Sequence, residues 1–113
     1  MTIVIDVAAA VICFASTCYP ALVGPDTPRG EFKLTHYSTK QKGYGGDILS
    51  FKETERDLYT IHRVINVPGQ NRHAMLKDSN AMNRWITGGC VNVDPVVYKK
   101  LVDCCAASKV VIK

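Results

Sequence analysis

What this chain lacks narrows its functions first. No run of Lys and Arg interleaved with aromatics occurs, and there is no RNA- or DNA-binding signature, so no nucleic-acid partner is expected. The net charge of +4 is mildly basic; it favours an anionic substrate or surface without pointing to a polyanion. No CxxC pair is present and the three His are not at finger spacing, so no metal site is expected. Internal repeats and low-complexity segments are also missing. With 47% hydrophobic and 21% charged residues, the chain reads as globular, not disordered. Its 113 residues leave room for one core, so a single domain over 1–113 is expected.

The N-terminal stretch MTIVIDVAAAVICFASTCYPALVG lacks what an export signal or a membrane span needs. No Lys or Arg precedes its apolar part, and Asp6 interrupts it, whereas a signal peptide wants a basic leader and a span about 20 apolar residues. Its β-branched residues (Thr2 to Ile5, then Val11 and Ile12) fit two short strands around Ala8–Ala10. No export signal is visible, and stable membrane insertion is not expected.

Five cysteines are present, at 13, 18, 90, 104 and 105. An odd number leaves at least one free thiol if the others pair within the chain. Cys104 and Cys105 are expected not to bond to each other, because adjacent residues sit poorly for disulfide geometry; Cys13 or Cys18 could pair with one of them. The plainer expectation for the four outer cysteines is that they are small buried residues.

The chain otherwise reads as strands joined by punctuated turns. Glu31–Thr35 alternates as a half-buried strand does, KQKGYGG (40–46) is a polar Gly-rich loop, and 47–51 and 57–64 are strands. A long connection follows over 66–84, with a helical turn expected at 72–76; in so small a domain such a segment tends to be functional. Val91–Val93 is extended. Asp94 as N-cap and Pro95 at the first position then open a helix with Val96, Val97, Leu101 and Val102 on one face. A strand over 108–112 closes a mainly β chain with one convincing helix.

NRWITGGCVNV carries the candidate chemistry. Gly88 and Gly89 permit positive φ and close approach of a substrate, and such a turn can aim successive amide N–H groups at one point. A thiol placed there becomes a nucleophile if a base is within reach; otherwise Cys90 is a small buried hydrophobe at a strand start. His36, His62 and His73 are all candidate bases, and spacing alone does not choose among them.

Three separated stretches, Thr27-Pro28-Arg29-Gly30-Glu31-Phe32, Ile61-His62-Arg63 and Thr87-Gly88-Gly89-Cys90-Val91-Asn92, together resemble the L,D-transpeptidase catalytic domains of bacterial peptidoglycan enzymes. That family carries Thr-Pro-x-Gly-x-Phe, a strand-end His, and Ser/Thr-His-Gly-Cys followed by a hydrophobic residue and Asn or Arg, in this order. Arg63-Val64, Pro68-Gly69-Gln70-Asn71-Arg72 and Asn83-Arg84 resemble a small subgroup. Gly88 departs from the family's His, and Trp85 is an extra residue before the motif.

The resemblance implies a β-sandwich or barrel, with a C-terminal helix and a short helix or loop before the nucleophile. It further implies a cofactor-free cysteine acyltransferase in the periplasm or cell envelope. Cys90 would attack the third-residue carbonyl of a stem tetrapeptide, expel D-alanine and form a thioester that an amine or water resolves. His62 would be the base, with His73 its rival. Gly89 and the Cys90 N–H would hold the oxyanion. Thr87 and Asn92 would shape the turn and, with Gly88, line the substrate site, where Arg63, Arg72 and Arg84 would meet stem carboxylates. A delivered murein-targeting toxin, a phage-type L,D-carboxypeptidase and a non-catalytic peptidoglycan binder are the alternatives.

Overall fold

Alternating β-branched residues extend the N-terminal backbone as expected, but into three strands instead of two: β1 (Thr2–Asp6), β2 (Val11–Phe14) and β3 (Thr17–Pro20). The computed structural model describes residues 2–41, 43–65 and 68–113; Lys42 of the Gly-rich loop and Asn66 of the long connection lie outside the described residues. Tight turns at Ala10 and at Ala15-Ser16, all with positive φ, reverse the chain and create β3. Cys13 and Cys18 face each other across that hairpin and are bonded.

The stretch read as one strand over 31–35 is two, β4 (Gly30–Lys33) and β5 (Thr35–Ser38). β4 pairs with β9 (Lys109–Ile112) in a sheet ordered β3-β2-β1-β9-β4, whereas β5 begins a second sheet. The second sheet continues through β6 (Asp47–Glu53), β7 (Leu58–Arg63) and β8 (Val91–Val93). Leu34 is the pivot between them. It is buried, and its N–H donates to the carbonyl of Ser108 at 2.9 Å. Propensity does not register such a pivot, because both halves keep the period of two.

The two sheets form a sandwich without closing into a barrel. Ile3, Ile5, Ile12, Val110 and Ile112 of the first share one core with Leu49, Phe51, Ile61, Val91 and Val93 of the second. The helical turn α1 (Arg72–Leu76) and a 3₁₀ turn (Ala81–Arg84) occupy the long connection. α2 (Pro95–Cys105) starts as expected, with the Asp94 side chain accepting from the Val96 N–H at 2.8 Å.

The buried face of α2 differs from the one expected: Val97, Tyr98, Leu101 and Cys105 point inward, while Val96 is 64% exposed and Val102 only partly covered. At 100° per residue, Val96 falls nearly opposite the stripe those four define. Cys104 and Cys105 are bonded to each other, against expectation, in the last turn of this helix. Cys105 alone of the outer four is fully buried, so pairing, more than burial, accounts for these cysteines. Among the described residues, no helix is long and apolar enough to cross a membrane.

Candidate active site

Alternation along β7 puts Leu58, Thr60 and His62 on one side of the strand. β8 runs parallel beside it, with His62 opposite Asn92 and Ile61 opposite Val91, so Cys90 falls level with Thr60. A cleft of about 300 Å³ opens here, lined among others by Tyr44, His62, Arg72, Thr87, Cys90 and Asn92. A smaller cavity of about 110 Å³, bordered by Thr39, Gln41 and Thr60, also reaches Cys90.

Cys90 is the one cysteine outside a disulfide and is half-buried. Its sulfur accepts from the Thr60 hydroxyl and faces the Leu58 carbonyl as a donor, each at 3.8 Å. His62 is 3% exposed. Its Nδ1 donates to the Arg63 carbonyl at 2.7 Å, and the Asn92 amide nitrogen donates to its Nε2 at 3.3 Å. The Tyr44 ring stands edge-on to it at 4.6 Å. Burial depresses the His62 pKa; the carbonyl of Arg63 works against this and the charge of Arg72 adds to it, leaving a net downward shift. With Nδ1–H given to a carbonyl, the neutral ring carries its lone pair on Nε2. Thiol and imidazole share the cleft without a hydrogen bond between them.

The turn before Cys90 is built by Thr87. Its hydroxyl donates to the Cys90 carbonyl at 2.7 Å and accepts the Gly89 N–H at 3.2 Å. The N–H groups of Ile86 and Thr87 both donate to the Val23 carbonyl. Gly24 lies directly beneath the Thr87 carbonyl, where a side chain would collide with the backbone. Gly89 has φ +128°, and a Cβ on it would lie 2.6 Å from the Tyr59 ring. Gly88, in contrast, has open space where a Cβ would go, so the missing His leaves the cleft wider at that point. The extra residue Trp85 is absorbed by the core, its indole N–H donating to the Val7 carbonyl at 2.8 Å.

The cleft brings together Cys90, His62, Thr87, Gly88, Asn92 and Arg72. Arg63 and Arg84 do not line it. Arg63 turns to Asp47 at 2.6 Å, to the Tyr44 carbonyl and to the Tyr98 ring. Burial raises the Asp47 pKa, but hydrogen bonds from His36 and Arg63, with the charge of Arg63, outweigh it and hold the carboxyl low. Arg84 is buried and donates to the carbonyls of Ala9, Ala10 and Asp78. His36 pairs with Asp47, and His73 is exposed on α1; of the three histidines, His62 alone lines the cleft.

Tyr44, Asp57, Tyr59 and Thr60 were missed by the sequence reading. Thr60 could have been found by stepping back by twos from His62. Tyr59 sits on the other phase but reaches the cleft at the hairpin end; burial, then Asp57 and Asp26, keep its phenol protonated as a donor. Among the described residues, no group of three or more His, Cys, Asp or Glu converges to hold a metal ion.

No protein-family model matches the sequence, and no curated protein does. Solved structures match the fold. A Stackebrandtia nassauensis L,D-transpeptidase superposes with a TM-score of 0.62 and 18% identity, covering 99% of this chain and 54% of its own. L,D-transpeptidases of Xylanimonas cellulosilytica (TM-score 0.60, 15% identity, 99% and 59% covered) and Mycobacterium smegmatis (0.59, 17%, 99% and 58%) match likewise. The chain therefore has the L,D-transpeptidase catalytic-domain fold, and spans little more than half the length of these structures.

Proposed function

We propose that this chain, read as one catalytic domain, is a cysteine acyltransferase acting on peptidoglycan stem tetrapeptides through a thioester. The observation that carries the reading is the cleft shared by His62 on β7 and Cys90 just before the parallel strand β8, within this fold. In the reaction, Cys90 swings from Leu58 and displaces the Asn92 N–H from His62 Nε2, which takes the thiol proton as sulfur attacks the third-residue carbonyl carbon. The Cys90 N–H faces the resulting oxyanion; the Gly89 N–H is held by Thr87, so Gly89 contributes through its backbone shape. Collapse breaks the bond to D-alanine, whose nitrogen receives the proton from His62, and leaves the acyl group on sulfur. An amine of a second stem, or water, then displaces the thiolate. Arg72, at the cleft edge, supplies positive charge for a stem carboxylate; Arg63 and Arg84 are reserved for structure.

The cell envelope is the proposed site of action, a setting that suits two disulfides beside one free thiol. Purified protein incubated with sacculi should yield either 3→3 cross-linked dimers or shortened tripeptide stems by mass spectrometry of the muropeptides. A carbapenem should add covalently to Cys90, and Cys90→Ser should abolish both adduct and products. Undiminished turnover by that variant would falsify the assignment.

A further inference from the structure

Asn92 is 1% exposed and its backbone is fixed from both sides, its N–H donating to the Leu22 carbonyl at 2.9 Å and its carbonyl accepting from the Leu22 N–H at 2.8 Å. Only the orientation of its amide is free. Turned one way, the amide nitrogen donates to His62 Nε2; turned the other, the amide oxygen accepts a proton from it. A guanidinium has donors only. Arg72 Nη1 lies 3.1 Å from Asn92 Oδ1, so the atom facing it must be oxygen, and the nitrogen is left for His62 at 3.3 Å. Arg72 is itself aimed by its Nε–H, which donates to Gln70 Oε1 at 3.0 Å, and by α1, whose first turn Asn71 caps at Ala74. At the other end of the ring, Nδ1–H meets the Arg63 carbonyl at 2.7 Å.

We propose that Arg72 is a positioning residue: by holding Oδ1 of Asn92 it turns the amide nitrogen onto His62 and fixes the imidazole tautomer with its proton on Nδ1 and its lone pair on Nε2. For catalysis this rests on His62 being the base of the proposed acyl transfer, since only the lone pair on Nε2 can accept the thiol proton. With Arg72 gone, the amide is free to turn, and its oxygen rewards a proton on Nε2. The other titratable or charged groups facing the cleft are Tyr44, Asp57, Tyr59 and Cys90; none of them bonds either end of the Asn92 amide.

The test is the tautomer itself, read in the full chain with ¹⁵N-labelled histidine by long-range ¹H–¹⁵N spectra across pH. The wild type should show His62 protonated on Nδ1 and bare on Nε2. Arg72→Met should populate the Nε2–H form and raise the His62 titration midpoint. Arg72→Lys, which restores a charged donor, should return both toward wild type. The acid limb of the carbapenem acylation rate should move with the midpoint. A wild-type tautomer in Arg72→Met overturns the proposal whatever the midpoint does, because loss of the Arg72 charge by itself raises the midpoint. Should that variant not fold, Arg72→Ala supplies the same test: Nε2 should gain a proton, and a bare Nε2 overturns the proposal. The spectra do not depend on turnover, so an inactive chain with the expected spectra refutes the proposed function and leaves the positioning role standing.

Discussion

At the scale of single residues, the turn before Cys90 depends on an absent side chain. Gly89→Ala places a methyl group against the Tyr59 ring in a backbone conformation that L-residues avoid. The variant should lose about 1–3 kcal/mol of stability and slow carbapenem acylation at least tenfold, measured by urea melts and adduct mass. Shrinking the ring with Tyr59→Leu should recover part of the stability and little of the φ cost. Arg84→Met should be more destabilising, at about 2–4 kcal/mol, because it strands buried carbonyls. If Arg84 is structural as its partners indicate, the acylation rate of the folded fraction should not change. The sequence made Cys90, His62 and Thr87 legible because their neighbours form a motif. It did not separate Arg72 from Arg63 and Arg84, since the deciding partners are elsewhere in the chain: the carbonyl of Ala10 that Arg84 meets is 74 residues away.

At the scale of elements, the period of two gave the strands and the Asp94-Pro95 pair gave the start of α2, because both signals are local. The split at Leu34 was invisible for the opposite reason. Which sheet each half joins is decided by β9 and β6, strands distant in sequence. The buried face of α2 was misjudged because Val96 is apolar yet lies on the solvent side, while Tyr98 is fully buried beneath Arg63. Leu34→Ala tests the pivot. The cavity it leaves, where β4 hands the chain directly to β5 in the other sheet, should cost about 2–4 kcal/mol and appear as a lower urea midpoint with little change in slope.

At the scale of the whole molecule, acid should lower the stability of this protein in two steps. Unfolded, His62 would titrate near ~6.5, but in the fold its pKa is depressed. Between those values the unfolded chain holds more protons, so stability is full above the unfolded value and declines as pH falls through the window below it. Asp47, also depressed, adds a second loss below about 3.9 by the same reasoning. Urea melts followed by the fluorescence of the single Trp at several pH values should trace both steps. Reduction is a separate axis. Opening the short loop closed by Cys13–Cys18 should cost about 2 kcal/mol by chain entropy, and Cys90 should still be acylated by a carbapenem in the reduced protein. The position of β9 reaches further still. The last strand of the first sheet in sequence lies between β1 and β4, parallel to one and antiparallel to the other. On the ribosome, β1 and β4 must therefore wait with open edges until Ile112 clears the exit tunnel, and only then can the sheet close. A nascent chain stalled before Lys109 should be protease-sensitive in its first sheet, whose inner strand β9 follows the other four strands in the chain.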